Sequence, residues 1–301
     1  MRLGVIDCGT NTFHLLVADV EGSGEIKTVL RQREYVRLGE DGLEKIGKEP
    51  FRRGVQCLAG FKQKLETSGV EKLKVFGTEA LRRATNGKEF VRAVKAETGI
   101  KIQLISGEEE ARLIQLGVMQ AVPPFEGKGL IMDIGGGSVE FIITNGNRVL
   151  WAKSFPIGVQ VLFSKFHNND PISQQELRSL ETYFEDMLQP LSAILKVHKT
   201  PTLLGASGSF EVIEDLLFEQ RRHPLYSIVP VEDYYKIHPG MISSTIAERR
   251  AMKKLPEQRV ELTVVAFSLV GFILKKAGIR QIITSTYAMK EGVLLEMANG
   301  K

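Results

Sequence analysis

Hydrophobic positions along the chain fall into short β-rich runs and longer stretches with helical spacing. The first run, Leu3-Gly4-Val5-Ile6-Asp7-Cys8-Gly9-Thr10-Asn11-Thr12, leads into Phe13-His14-Leu15-Leu16-Val17-Ala18. A second run, Gly129-Leu130-Ile131-Met132-Asp133-Ile134-Gly135-Gly136-Gly137-Ser138, leads into Val139-Glu140-Phe141-Ile142-Ile143-Thr144. Each reads as a strand, an Asp-x-Gly turn with small or hydroxyl residues, and a second strand, hence a hairpin. The second motif follows the first by 126 residues, counted from Asp7 to Asp133. That spacing points to two related lobes rather than a short-period solenoid.

The pattern predicts a hairpin region to about residue 38, a helix over 50–67, a strand at Lys74–Gly77, a helix over 88–98, a strand from Ile100 to Ile105 and a helix over 107–121. Pro123-Pro124 stops that helix and divides the chain into an N-terminal lobe, 1–124, and a C-terminal lobe, 125–301. The second lobe opens with strands over 130–153. Helices over 173–196, 209–220, 243–254 and 258–277 follow, then a strand at 281–285. A last helix over about 288–301 is able to pack back on the first lobe. Strands interspersed with helices define an α/β protein with layered packing.

Composition narrows the class. The chain has 301 residues, 43% hydrophobic and 25% charged, which is ordinary for a globular protein with a full core. Its length exceeds the ~250–300 residues at which single cores stop growing. The two cysteines, Cys8 and Cys57, suit a reducing compartment and form no metal-binding cluster. No apolar run approaches the ~20 residues of a membrane span, and the N-terminus reads as a strand rather than a signal peptide. The expected location is therefore the cytoplasm, with no membrane partner. A net charge of +4 is too mild for a nucleic-acid binder but compatible with a local polyanion site.

Three groups of residues carry candidate chemistry. Gly135-Gly136-Gly137-Ser138 has consecutive glycines, whose backbone adopts positive φ readily and can turn successive N–H groups into an anion nest. One such turn alone is equally well a tight hairpin. The matching turn at Gly9-Thr10-Asn11-Thr12 favours two jaws around a phosphate chain, each preceded by an acid, Asp7 or Asp133. No Walker A or Rossmann glycine pattern is present.

Next comes Ser106-Gly107-Glu108-Glu109-Glu110-Ala111-Arg112. Ser106 and Glu109 have capping-box spacing, and three acids in a first helical turn suit the macrodipole. Glu108 has the spacing to pair with Arg112. Glu110 instead shares a face with Leu113, Ile114, Gly117 and Val118, where burying a carboxylate is expensive unless it is used or paired. It is a candidate general base, against a cap or a structural ion pair.

Third, Glu140 lies two residues past Ser138, on the same sheet face. It is either a cation or water ligand or a solvent-facing strand residue. One or two carboxylates with phosphate oxygens suit Mg²⁺, which Asp7, Asp133 and Glu140 could supply. Arg82 follows a strand end, where α/β ligand sites lie, and could grip phosphate bidentately. The remaining basic clusters, among them Arg31, Arg33 and Arg37, and Arg249 and Arg250, read as solvated faces. His14 reads as a packing residue and Trp151 as a core residue.

Together these residues resemble the exopolyphosphatase/guanosine pentaphosphate phosphohydrolase (Ppx/GppA) family. Ile6-Asp7-Cys8-Gly9-Thr10-Asn11-Thr12 is similar to its first phosphate loop, and Thr78-Glu79-Ala80-Leu81-Arg82-Arg83-Ala84-Thr85-Asn86 to its arginine motif. The 106–112 segment is similar to its acidic helix start, and Asp133-Ile134-Gly135-Gly136-Gly137-Ser138-Val139-Glu140 to its second loop. Pro156-Ile157-Gly158, Glu248-Arg249-Arg250 and Lys290-Glu291-Gly292 follow in order. Threonines stand for the usual serines at 10 and 12, Val139 for threonine and Lys290 for arginine. The later Gly-Gly-Thr loop reads Gly205-Ala206-Ser207-Gly208-Ser209. No His-Asp dipeptide occurs, so the HD-type C-terminal extension of long members is not expected.

The resemblance implies a two-lobed actin-like, sugar-kinase and Hsp70-type (ribonuclease H-like) fold with its site in the cleft between lobes. It implies Mg²⁺-dependent hydrolysis, with Mn²⁺ as the alternative ion, of a terminal phosphoanhydride in inorganic polyphosphate or guanosine pentaphosphate. Glu110 would be the base and Arg82 a phosphate ligand. Asp133 and Glu140 would lie around metal and water, and the two loops would form the cradle. The altered Gly205–Ser209 loop leans the reading toward polyphosphate. The resemblance admits a homodimer, for which the sequence shows no patch. The competing classes are a non-hydrolytic phosphate-ligand module and a kinase of the same fold.

Overall fold

A computed structural model describes residues 1–22, 24–221 and 223–300. Lys301, to which the expected last helix extended, lies outside the described residues. The chain forms two compact units, Met1–Gly117 with the residues from Met289 onward, and Val118–Ala288.

The first unit contains strands β1 (Arg2–Cys8), β2 (Phe13–Val20) and β3 (Ile26–Glu34), helix α1 (Lys48–Thr67) and strand β4 (Lys72–Gly77). Helices α2 (Glu79–Arg83) and α3 (Gly87–Thr98), strand β5 (Gln103–Leu104) and helix α4 (Gly107–Ala121) follow. Its mixed sheet has the order β3-β2-β1-β4-β5. β1 is antiparallel to β2 and parallel to β4. Because helices cover both faces, the central strands are nearly continuous apolar runs instead of alternating ones. In β1 every residue from Leu3 to Ile6 is buried.

The second unit contains β6 (Gly129–Ile134), β7 (Val139–Asn145), β8 (Arg148–Phe155), α5 (Val159–Phe166), α6 (Gln174–Met187), α7 (Gln189–Val197) and β9 (Thr202–Ala206). It continues with α8 (Gly208–Leu217), β10 (Tyr226–Pro230), α9 (Val231–Ser243), α10 (Ile246–Ala251), α11 (Thr263–Ala277) and β11 (Gln281–Ser285). Its sheet has the order β10-β11-β9-β6-β7-β8. A core of Leu130, Phe141, Leu203, Phe210, Phe267 and their neighbours packs between sheet and helices. Helix α12 (Met289–Ala298) then packs on β1 and β2 of the first unit.

The two sheets repeat one plan. Each has an antiparallel three-strand meander whose first strand is parallel to a later strand, β4 or β9. Each meander carries a register shift at the same place, between Val17 and Ala18 and between Ile143 and Thr144. Val17 and Ile143 are separated by the same interval as Asp7 and Asp133.

Several elements differ from the sequence expectation. The helix expected over 173–196 is broken at Leu188, because Pro190 starts a new helix more readily than it continues an old one. The strand expected over 100–105 is only Gln103–Leu104. The 243–254 helix is only Ile246–Ala251, and the 258–277 helix starts at Thr263 after a short 3₁₀ turn, Glu257–Arg259. Helices α2, α5 and α9 and strands β9 and β10 were not expected. Trp151 is half-buried on the edge strand β8 rather than fully inside.

Candidate functional site

Both hairpin turns close in the same way. Gly9 N–H donates to Thr12 O at 3.1 Å, and Gly135 N–H donates to Ser138 O at 3.0 Å. A Cβ at Gly9 or Gly135 would lie 3.0 Å from that same oxygen.

The backbone of the following glycines differs from the one expected: Gly135, Gly136 and Gly137 do not have positive φ. Close approach requires glycine at 158 instead, where a Cβ would lie 2.4–2.5 Å from the backbone of Gly136 and Gly137. At this contact the loop carbonyls cap α5. Val159, Gln160 and Gly158 donate to the oxygens of Gly135, Gly136 and Gly137 at 3.0, 2.9 and 3.1 Å. Three of the otherwise orphaned N–H groups at this helix start are thereby satisfied without a side-chain cap.

The geometry has a direct consequence for anions. In a trans peptide the N–H points opposite to the C=O. With the carbonyls of 135, 136 and 137 turned to α5, the N–H groups of Gly136, Gly137 and Ser138 turn together to the other side, as an anion nest requires. Among the described residues none accepts from Gly136 or Gly137 N–H. In unit 1 the carbonyls of Thr10 and Asn11 are held by Gly39 and Arg37 N–H at 3.2 and 2.9 Å. The N–H groups of Asn11 and Thr12 are turned away in the same manner. Arg37 holds its loop from φ 52°, the left-handed region that non-glycine residues rarely occupy. The sequence reading placed Arg37 among the solvated cations; its side chain is exposed, but its backbone supports the loop. Asn11 Oδ1 is buried with no partner among the described residues, an acceptor suited to a water or ligand donor.

The carboxylates occupy equivalent rows. Asp133 is directly opposite Glu140, and Glu140 is directly opposite Ser154. Asp133 and Glu140 are 7% and 2% exposed, so Glu140 is not a solvent-facing strand residue. Ser154 Oγ donates to Glu140 Oε1 at 2.6 Å. In unit 1 Asp7 is opposite His14, which is opposite Arg33. His14 therefore stands where Glu140 stands in the second sheet. The Asp133–Glu140 pair fits a magnesium ion, since like carboxylates directly opposite are unfavourable and hard oxygen donors suit that cation. Among the described residues no three His, Cys, Asp or Glu side chains gather as a metal group. The pair would thus be completed by waters and phosphate oxygens.

Glu110, in the first turn of α4, is 8% exposed and shares its face with the buried Leu113, Ile114 and Val118. Arg82 Nη1 donates to Glu110 Oε2 at 3.1 Å and to Ile105 O at 2.6 Å, and Nη2 donates to Glu79 Oε2 at 2.8 Å. Burial pulls the Arg82 guanidinium down, but Glu110 and Glu79 more than reverse this and hold it above its ordinary value. It is a fixed cation. Ser106 Oγ accepts from Glu109 N–H at 3.2 Å, as a cap should. The Glu109 carboxylate, however, goes to Arg112, as does Glu296 of α12. The expected Glu108–Arg112 pair is absent among the described residues, because Arg112 is already held twice.

Two further features of unit 2 escaped the sequence reading. Arg249, read as solvated, is completely buried and donates to Val260 O and Ser244 O. Ser207 has φ 68° and ψ −179° at the start of α8, beside Gly208, over which the Arg259 guanidinium lies. Charge runs give no signal for which member turns inward.

Two α/β units whose mixed sheets repeat one strand plan, with matching turns at equivalent strand ends, define a protein of the actin-like class. The chain belongs to the Ppx/GppA phosphatase family, whose model matches residues 16–300. It is similar to a crystal structure of an exopolyphosphatase from Cytophaga hutchinsonii, with 35% identity and a TM-score of 0.94 over 100% of this chain and 98% of that one. The Ppx/GppA family member of Aquifex aeolicus matches at 24% identity and a TM-score of 0.83, over 100% and 98% of the two chains. A second structure, of the Aquifex aeolicus PPX-GPPA enzyme, matches at 25% identity and a TM-score of 0.81, over 98% and 99%. No helix among the described residues is long and apolar enough to cross a membrane.

Proposed function

We propose that this protein is an exopolyphosphatase, hydrolysing the terminal phosphoanhydride of inorganic polyphosphate and releasing phosphate. The observation that carries the reading is the buried Glu110 carboxylate 3.1 Å from Arg82, a base and an anion ligand side by side. The 35% identity to an exopolyphosphatase over the full chain supports the choice of substrate.

In this reading Glu110 takes a proton from the attacking water, which then adds to the terminal phosphorus. Arg82 holds oxygens of that phosphoryl group. In each unit by itself, the N–H groups of Asn11 and Thr12 and those of Gly136, Gly137 and Ser138 are the groups that would hold phosphate oxygens. Such positioning and charge stabilisation are most of the catalysis in phosphoryl transfer. Asp133 and Glu140 of the second unit, or alternatively Asp7 of the first, would hold Mg²⁺, or Mn²⁺ in its place. When bound, the ion would supply neutralisation of phosphate charge. Guanosine pentaphosphate, cleaved at its 5′ terminal phosphate, is the alternative substrate within the same family.

The test is phosphate release with Mg²⁺ from long-chain polyphosphate, short-chain polyphosphate and guanosine pentaphosphate, with Glu110→Gln as control. Polyphosphate is expected to be the preferred substrate, and E110Q to be slower by roughly 10²–10⁴. Near-normal turnover by E110Q would remove Glu110 as the base. Preference for guanosine pentaphosphate would move the substrate to the alternative. No release from any of the three by folded protein would overturn the hydrolase reading in favour of a binding module or a kinase.

A further inference from the structure

Arg82 is shared among more acceptors than a phosphate ligand needs. Ile105 O and Glu110 Oε2 take Nη1, and Glu79 Oε2 takes Nη2. A guanidinium has five N–H groups, so two remain without an acceptor among the described residues. Glu79 and Arg82 lie three residues apart on α2, where such side chains are neighbours. The Glu79 and Arg82 side chains are 15% and 21% exposed, so their interaction is screened less than a surface pair. One cation thus stands between two carboxylates, and the trio carries a net negative charge.

That arrangement sets how an anion can bind. An arriving phosphoryl group meets the two remaining N–H groups of Arg82 beside two carboxylates. Glu110 is on another element, α4, whereas Glu79 is on the arginine's own helix and stays beside it. Displacement of Glu110 by the anion would release that carboxylate from Arg82. Glu79 meanwhile still offsets part of the Arg82 charge, which weakens the hold on the anion.

We propose that Glu79 is a positioning residue that keeps Arg82 in place and lowers its affinity for anions. A phosphoryl group at Arg82 is then held weakly enough that inorganic phosphate leaves readily after cleavage. This rests on the reading of Arg82 as a phosphate ligand. The amide in Glu79→Gln keeps the shape and an acceptor for Nη2 but removes the charge.

The test is calorimetric binding of inorganic phosphate to the full chain in wild type, E79Q, E79D and R82A, with kcat and KM measured in parallel. E79Q is expected to bind phosphate about 3- to 30-fold more tightly, as loss of one nearby like charge from a partly buried anion site should do. KM falls with it, and kcat does not rise. E79D, which keeps the charge, stays near wild type. A merely structural Glu79 would give the opposite sign, since a loosened Arg82 binds phosphate more weakly and raises KM. Unchanged or weaker phosphate binding by folded E79Q overturns the proposal, and so does tightening in E79D equal to that in E79Q. R82A decides the underlying reading separately. Weaker phosphate binding there keeps Arg82 as a ligand, whereas wild-type affinity removes that role and the proposal with it.

Discussion

Gly158 shows how a residue outside the Gly135–Ser138 turn can dictate its shape. Its missing side chain lets Gly136 and Gly137 approach within 2.4–2.5 Å of where a Cβ would lie. The atoms met are backbone, which cannot swing aside as a flexible side chain could. Gly158→Ala should therefore push the loop off α5, breaking the three hydrogen bonds that aim its N–H groups. We expect a loss of stability of about 1–3 kcal/mol, the usual range for overpacking, together with weaker phosphate binding. Urea unfolding and a phosphate titration check both; an unaltered phosphate affinity would mean the loop does not depend on this contact. At this scale the sequence was informative about which residues matter and less so about why. Glycines at 135–137 suggested an anion nest through positive φ, which they do not have; the glycine that a close approach demands is Gly158, distant in sequence. The inward turn of Arg249 left no signal, because its neighbours Glu248 and Arg250 make the segment read as an exposed charge run.

Helix starts and crossings carry the next level of constraint. At the start of α6, Glu176 accepts from the backbone and hydroxyl of Ser173 and from the N–H groups of Asn168 and Asn169. Burial would push its carboxyl up, but these hydrogen bonds outweigh burial and hold it at about 2, down from an ordinary 4.5. A depressed carboxyl stabilises the fold above its unfolded pKa and stops doing so as pH falls through its folded value. Glu176→Gln should accordingly be less stable than wild type at neutral pH, with the gap narrowing from about pH 4.5 down to about 2. Urea midpoints across that range test the slope; a gap independent of pH would show that the cap acts through shape alone.

The crossing of α12 over α4 is tighter still. A Cβ at Gly292 would lie 1.9 Å from Leu113 O, one turn beyond Glu110. Glu296 ties the same helix to Lys74 and Arg112. Gly292→Ala should shift α4 and lower kcat along with stability, whereas Glu296→Gln should lower stability with a smaller effect on turnover. Parallel melting and steady-state measurements separate the two; equal losses of turnover would assign α12 no particular hold on the base. Long amphipathic helices such as α1 were legible from periodicity. Helix α9 was not, because Pro239 lies inside it and proline normally ends a helix. Strand β9 was missed because five buried residues between two helices carry no alternation.

The chain as a whole is one plan used twice with different chemistry. Asp7 and Asp133, the turn closures and the register shifts recur at a common interval, and a repeat visible in the sequence therefore anticipates the sheets. What differs is the residue facing each aspartate: His14 in one sheet, Glu140 in the other. An aspartate opposite histidine can be satisfied within the protein. Two buried carboxylates directly opposite one another are unfavourable, and a divalent cation would relieve them. Binding to the folded state alone stabilises it by mass action, about 2.7 kcal/mol at a hundredfold excess over Kd. Wild type should therefore melt at a higher temperature as MgCl₂ is titrated. Glu140→Gln removes one of the two charges, so it should melt no lower than wild type without metal and lose most of the magnesium increment. His14→Gln should keep that increment if the second sheet holds the cation. Melting needs neither substrate nor turnover, so the result is independent of the reaction assigned to Glu110. A full increment in E140Q, or its loss in H14Q, would move the cation to the Asp7 row and make the asymmetry between the two sheets a matter of packing.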